Sequence, residues 1–401
     1  MSPAEAEPAG APEPAEPPAT AGPLGPTEPA AAPQTDTRAL CLSGGGYRAM
    51  LFHAGALWRL NELGWLLKLD RVSSVSGGSI AAGVLAKCWR ELDFDPATGV
   101  AANFADTVAA ELIDLAGRTI DVPAVLRGLL SPRPIGDQVA RAYRRRLFGA
   151  MTLQELPDRP RFVINATNLQ SGALWRFSKP FMADYRVGQV VRPDVPLALA
   201  VAASSAFPPV LSPVSLRLVP GAVVGFEDDP APALHFPPYT TRAILSDGGV
   251  YDNLGLQTAT QCRTVLVSDG GGALKDAPRP RRLWPLQLLR VLDVIDNQVR
   301  ALRKHELIAD YQEPDGRRAG TYWGIRSAIA DYHVEGPLPA APARTAELAA
   351  TPTRLARLPL DRRRRLVNWG YAIADAGMRK WVVPPAPPPP APAFPFPAEG
   401  V

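Results

Sequence analysis

Three short stretches of this 401-residue chain combine residue types that can carry out chemistry. Residues 71–83 read RVSSVSGGSIAAG, a run of serines and glycines at the corner between a short apolar segment and an alanine-rich one. A nucleophilic serine on a tight strand-to-helix turn needs small residues two places before and two after it, because the turn presses those backbones together. Ser76, flanked by Ser74 and Gly78, meets that demand, with serine in the place where glycine is usual. Ser79 has Gly77 before it but Ala81 after it, and Ser73 and Ser74 fit no such frame. The competing structural reading is a serine cluster that caps the helix.

Such a serine needs a proton acceptor. The chain has four histidines, His53, His235, His305 and His333. A chain order of Ser, acid, His leaves only the last two, and neither stands beside a loop of catalytic type. An aspartate can serve if it is desolvated and touches the hydroxyl, since at its ordinary pKa it is a weak base. Asp247 in LSDGGVYDN and Asp269 in VSDGGG both end apolar runs and precede paired glycines. Spacing alone leaves both open, and a plain turn is the simpler reading of each.

The third stretch is Ser43-Gly44-Gly45-Gly46-Tyr47-Arg48-Ala49. Glycines between a strand and a helix N-terminus leave backbone N–H groups exposed and convergent, which makes an anion hole. Gly44-x-Gly46-x-x-Ala49 also satisfies a loose dinucleotide fingerprint, with Asp70 downstream as the ribose-binding acid of a nucleotide-dependent oxidoreductase. Asp70, however, ends what reads as a long amphipathic helix rather than a second strand.

The elements around these stretches alternate. Arg38 to Leu42 and Val72 to Val75 read as strands, and His53 to Leu69 and Ile80 to Trp89 as helices. Residues 100–150 read as helical, Arg161 to Ala166 and Leu174 to Phe177 as neighbouring strands, and Ala243 to Leu245 and Val265 to Val267 as buried strands. Helices are expected over 284–308 and 360–381. Strand–helix alternation predicts a three-layer α/β/α sheet, in which ligands bind beyond the carboxyl ends of strands.

Nineteen of the 45 prolines fall in residues 1–33 and 384–397. Residues 1–37 and 384–401 are therefore expected to be disordered Pro-rich tails around one folded unit, 38–383. The first 37 residues carry six acidic groups and no Lys or Arg, so a net charge of +4 for the chain places +10 on the remainder. Basic clusters at Arg144–Arg146, Arg279–Arg282 and Arg362–Arg365 read first as solvated surface and second as attraction to anionic lipid headgroups. No aromatic-interleaved basic stretch suggests nucleic acid. Cys41, Cys88 and Cys262 are far apart and outside any metal-ligand spacing, so no metal is expected and the thiols read as inert, in a reducing compartment. The N-terminus shows no signal-peptide pattern, and the apolar run 196–216 contains prolines and serines that argue against a membrane span. A cytoplasmic protein, with or without peripheral membrane contact, is the expectation.

In this order the pieces resemble the patatin-like phospholipase family. GGGYRA is similar to its glycine-rich oxyanion loop, SVSGG to its nucleophile elbow and DGGVYDN to the segment carrying its dyad aspartate. AASSAFPPVLSP at 202–213 resembles a loop near that family's active site, and RLARLPLDRRRRLVNWGYAIADAGMRKW resembles a C-terminal helix of bacterial members. The resemblance implies a patatin-like α/β/α fold and a serine lipid acyl hydrolase needing no cofactor and acting on phospholipids or other fatty-acyl esters. It assigns Ser76 as nucleophile and Asp247 as base, preferred to Asp269 because Asn253 follows at the family's spacing. Gly44, Gly45 and Gly46 become the oxyanion loop, Arg48 its support, and Ser74 and Gly78 the small residues of the elbow. Ser74 and Ala49 stand where the family commonly has glycine. A catalytically inactive lipid-binding relative is the alternative within the same fold.

Overall fold

The computed structural model describes residues 34–121, 135–272, 274, 276–280, 283–313, 316, 318–384 and 389–401. Its centre is a ten-stranded mixed sheet. The strands are β1 (Gln34–Leu42), β2 (Arg71–Val75), β3 (Arg161–Asn168), β4 (Ala173–Phe177), β5 (Phe181–Asp184), β6 (Gly188–Val191), β7 (Val214–Arg217), β8 (Arg242–Asp247), β9 (Cys262–Asp269) and β10 (Ala319–Gly324). β10, β9, β1, β2 and β3 run parallel, and β4, β5 and β6 continue antiparallel from β3. The helices are α1 (Gly46–Glu62), α2 (Gly77–Cys88), α3 (Ala110–Leu115), α4 (Ile135–Tyr143), α5 (Leu197–Ser204), α6 (Gly249–Asp252), α7 (Trp284–Gln312), α8 (Pro342–Ala349) and α9 (Leu360–Trp381).

The period-two alternation of β1 generates the layers. Leu40 and Leu42 join the main core with α1, α2 and α9, whereas Ala39 and Cys41 face a smaller core with Leu254, Val265, Val267 and Leu307. Helices thus cover both faces, as strand–helix alternation predicts. α1 and α9 are clamped by a buried ion pair: Arg59 Nη2 lies 2.8 Å from Asp375 Oδ1, and Arg59 Nε donates to the same oxygen at 2.9 Å.

Two edges of the fold differ from the sequence reading. β1 starts at Gln34, four residues earlier, where it pairs with Cys262; residues 1–33 of the expected N-terminal tail lie outside the described residues. At the other end, 389–401 pack onto the body instead of leaving it. Asn368 Nδ2 donates to the carbonyls of Phe396 and Gly400, Arg364 pairs with Glu399 at 2.6 Å, and Phe396 packs its ring edge against Trp58. Two phenylalanines among the prolines supply the apolar surface that the N-terminal stretch lacks. Within 100–150, helix is present at α3 and α4, and 122–134 lie outside the described residues.

The register decides where the site forms. β2 pairs with β3 as far as Val75↔Asn165, while β8, running the other way, pairs with β3 from Asn168 to Asp247↔Ala166. β4 occupies the opposite edge of β3 over these rungs. β2 and β8 therefore approach end to end along one edge of β3 and stop at adjacent rungs. Ser76 leaves one strand and Asp247 ends the other.

Candidate active site

Ser76 sits between β2 and α2 at φ 51° and ψ −118°, a conformation that a non-glycine residue holds only when its surroundings force it. The surroundings are close. A Cβ at Gly77 would lie 2.2 Å from the Gly46 carbonyl oxygen, and one at Gly78 would lie 2.3 Å from that of Leu42. The SVSGG turn and the glycine-rich loop are thus stacked backbone on backbone, and only glycines permit it. The Gly78 N–H donates to the Ser43 carbonyl at 3.1 Å, and the Ser76 N–H to Ser204 Oγ at 3.0 Å.

The other serines of the run are structural. Ser204 Oγ, Ser79 Oγ and Ser74 Oγ form a hydroxyl chain at 2.8 and 3.0 Å, ending 3.3 Å from the Val163 carbonyl. Ser74 can therefore stand where glycine is usual, since its hydroxyl is consumed in the chain. Ser73 donates to the Gly255 carbonyl at 2.6 Å. The sequence reading missed Ser204, at the end of α5. The Gly248 N–H donates to its carbonyl at 3.1 Å and the Asp247 N–H to that of Ala206 at 2.9 Å, so one AASSA segment holds both the elbow and the DGG turn.

Asp247 is buried. Its Oδ1 accepts the Gly249 N–H at 2.7 Å, while Oδ2 has no completed hydrogen bond. Burial pushes its carboxyl up to about 7, against the opposing effects of the Gly249 N–H and of the Ser76 hydroxyl, which lies near enough to favour the charged form. Asp269 behaves oppositely. Burial raises it, but Arg300, the Tyr322 hydroxyl at 2.7 Å, the Gly271 N–H at 2.8 Å and Ser43 together hold it below the usual carboxylate range. One aspartate is poised to accept a proton near neutrality, and the other is a saturated structural anion. Asn253 closes the arrangement, its carbonyl accepting the Gly44 N–H at 3.1 Å.

That bond corrects one assignment. The Gly44 N–H is committed to Asn253 and is not free to meet an anion. Among the described residues the N–H groups of Gly45 and Gly46 have no hydrogen-bond partner, nor has that of Gly77 at the start of α2. Gly77 was not singled out from sequence, although the residue after an elbow nucleophile is a standard donor. Arg48 braces this loop: Nε donates to the Gly270 carbonyl at 3.0 Å and Nη1 to that of Thr351 at 2.5 Å. A cavity of about 700 Å³ lies beyond Arg48, lined by Ile325, Ala346, Thr351 and Trp369 among others, and neither Ser76 nor Asp247 borders it.

The histidines have other work. His53 is buried with Nε2 2.9 Å from the Ser43 carbonyl and Nδ1 2.8 Å from Ser268 Oγ. A carbonyl only accepts, so Nε2 carries the proton and Nδ1 accepts from Ser268. Burial lowers its pKa to about 4, although the Ser43 bond and Asp269 oppose the shift, and the ring stays neutral under the glycine loop. His305 and His333 are exposed on α7 and after β10. Asp70 precedes β2 and accepts the Arg38 N–H at 2.8 Å, at the end of the sheet remote from the glycine loop, which removes the ribose acid from the dinucleotide reading. Among the described residues no group of three His, Cys, Asp or Glu side chains is placed to hold a metal ion.

The sequence model of the patatin-like phospholipase family matches residues 40–260. Among solved structures the chain is similar to human GIVD cytosolic phospholipase A2, with 13% identity and a TM-score of 0.49 over 85% of this chain and 61% of that one. It is similar to the same enzyme in complex with methyl gamma-linolenyl fluorophosphonate, with 14% identity and a TM-score of 0.47 over 85% and 57%. VipD from Legionella pneumophila matches with 15% identity and a TM-score of 0.34 over 85% and 66%. The chain thus spans less than two thirds of the human enzyme's length. No curated protein matches it.

Proposed function

The chain belongs to the patatin-like phospholipase family, and we propose that it is a serine lipid acyl hydrolase working through Ser76 and Asp247. One observation carries the reading. A backbone-strained serine faces a buried carboxyl of pKa about 7 whose Oδ2 lacks a completed hydrogen bond. A pKa near the working pH suits a general base, because the charged form is present and still accepts a proton. Ser76 Oγ attacks the ester carbonyl as its proton passes to Asp247, and the N–H groups of Gly45, Gly46 and Gly77 stabilise the oxyanion. Return of the proton to the leaving alcohol gives an acyl-enzyme. Asp247 then activates water, which releases the fatty acid and restores Ser76.

The test is a fluorophosphonate probe on the full chain, with the labelled peptide mapped, alongside turnover of a soluble short-chain ester. Labelling at Ser76 with turnover supports the reading. An unlabelled protein that still binds lipid is the inactive relative instead.

The loop carries its own prediction. Gly45 has φ 143°, and a Cβ there would lie 2.9 Å from both the Gly270 carbonyl oxygen and Arg48 Nη2. Gly45→Ala must shift the loop, and loss of one oxyanion donor costs about 10²–10³ in rate. Soluble-ester kcat is expected to fall by about that factor, with KM little changed.

A further inference from the structure

α7 is mounted inside out. A helix on a globular body ordinarily buries its apolar stripe and gives its charges to water. Among its described side chains, α7 instead meets the body with a largely polar face. Arg300 donates to the Gly272 carbonyl, Arg303 lies 3.7 Å from Asp252 and over the Tyr251 ring, and Lys304 sits 4.3 Å from the centre of the Tyr322 ring. Tyr311 donates to the Val265 carbonyl at 2.6 Å, and Leu307 is buried beside it. Trp284, Leu288, Val291, Ile295, Val299 and Leu302 are all exposed, Trp284 at 72% and Leu302 at 61%. Their spacing of three and four residues places them on one stripe, about 27 Å long at 1.5 Å per residue. An apolar patch of that length marks an interaction surface rather than scattered surface residues.

Two features choose the occupant. In the sequence, Arg279-Pro280-Arg281-Arg282 directly precedes α7, and a basic run next to an apolar helix stripe suits an anionic bilayer. The helix is also fastened to the segments that carry the site. Arg303 grips the DGGVYDN turn, whose Val250 is exposed, and Phe207 and Val210, exposed as well, follow the AASSA segment that holds Ser76 and Asp247. By contrast the Arg362–Arg365 cluster is drawn into the protein itself: Arg362 pairs with Glu347, Arg363 with the Ile113 carbonyl and Arg364 with Glu399.

We propose that α7 is the membrane-docking element of this protein. It lies flat in the headgroup region of an anionic bilayer with the Trp284-to-Leu302 stripe inserted, and so holds the Ser76 site against lipid. The proposal names the surface that the hydrolase reading of the site would use, and it rests on that reading.

The experiment compares the wild-type chain with a Val291→Ser/Ile295→Ser/Leu302→Ser variant. It measures sedimentation with phosphatidylcholine vesicles with and without phosphatidylserine, soluble-ester turnover, and mass by analytical ultracentrifugation. Wild type is expected to bind the anionic vesicles, with the variant weakened at least about tenfold and its soluble-ester turnover within about twofold of wild type, since these side chains face solvent. Brominated lipid is expected to quench wild-type tryptophan fluorescence, and Trp284→Phe to remove most of that quenching; this arm does not depend on the folding of the triple variant. Equal vesicle binding by wild type and variant, no binding by wild type, or a wild-type dimer that the variant dissolves without loss of vesicle binding would each overturn the proposal. Absent soluble-ester turnover in wild type that nevertheless binds vesicles through α7 would strike the hydrolase reading instead.

Discussion

Ser76→Ala is expected to remove fluorophosphonate labelling altogether and to lower soluble-ester turnover by on the order of 10⁴-fold or more, because the covalent route is lost. The fold should survive. The backbone at Ser76 is held by the Ser204 hydroxyl and the neighbouring glycines, not by the Ser76 side chain, so Ala removes one hydroxyl from a finished turn. Ser79→Ala is the informative control. It opens the Ser204–Ser79–Ser74 chain and costs about 1–3 kcal/mol through buried groups left unpaired, while Ser76 and its labelling remain. Melting temperature and labelling measured on the two variants separate the roles. Undiminished labelling in Ser76→Ala would sink the assignment of the nucleophile.

Asp247→Asn is expected to lower kcat by on the order of 10³–10⁴-fold, since it keeps the shape and removes the proton acceptor. Wild-type kcat/KM should rise with pH and level off above about 7, where Asp247 becomes charged. His305→Ala and His333→Ala should leave that profile in place. The same carboxyl predicts an opposite effect on stability. Its pKa is raised from 3.8 to about 7 in the folded state, so folding favours the neutral form. The penalty for the buried charge is absent below the unfolded value, grows through the window between, and is complete above pH 7, on the order of 4 kcal/mol. Asp247→Asn should therefore melt higher than wild type at pH 8, with the gap closing towards pH 4. A variant that is inactive yet more stable at alkaline pH is what a base held against its solvation preference produces. A variant less stable at every pH would show that Asp247 holds the fold rather than the proton.

The tight turn at Ser76 and the stacked glycine loop were legible in the sequence because local geometry dictates their residue types. The elbow needs small neighbours around Ser76, the stacked loop needs Gly44 to Gly46, and both demands act within a few residues of chain. The strand from Arg38 to Leu42 was likewise legible, but that its alternating side chains feed two separate cores came only with the fold. What stayed open in the sequence was set by contacts distant along the chain. Asp247 and Asp269 carry the same DGG signature. They differ because β8 runs head-on towards β2 along β3, leaving Asp247 buried beside Ser76, whereas β9 ends against β10, and Arg300 and the Tyr322 hydroxyl hold Asp269 in its charged form. Gly44 was misassigned for the same reason, since its N–H is taken by Asn253, more than 200 residues away. The packing of 389–401 rests on Trp58 and Asn368 on two separate helices, and no window of proline-rich sequence contains that partner. Residue type and short spacing therefore determined which groups could react; pKa, donor availability and the outward face of α7 depend on burial and on partners brought in by long-range strand pairing and helix docking, and only the tertiary structure decided them.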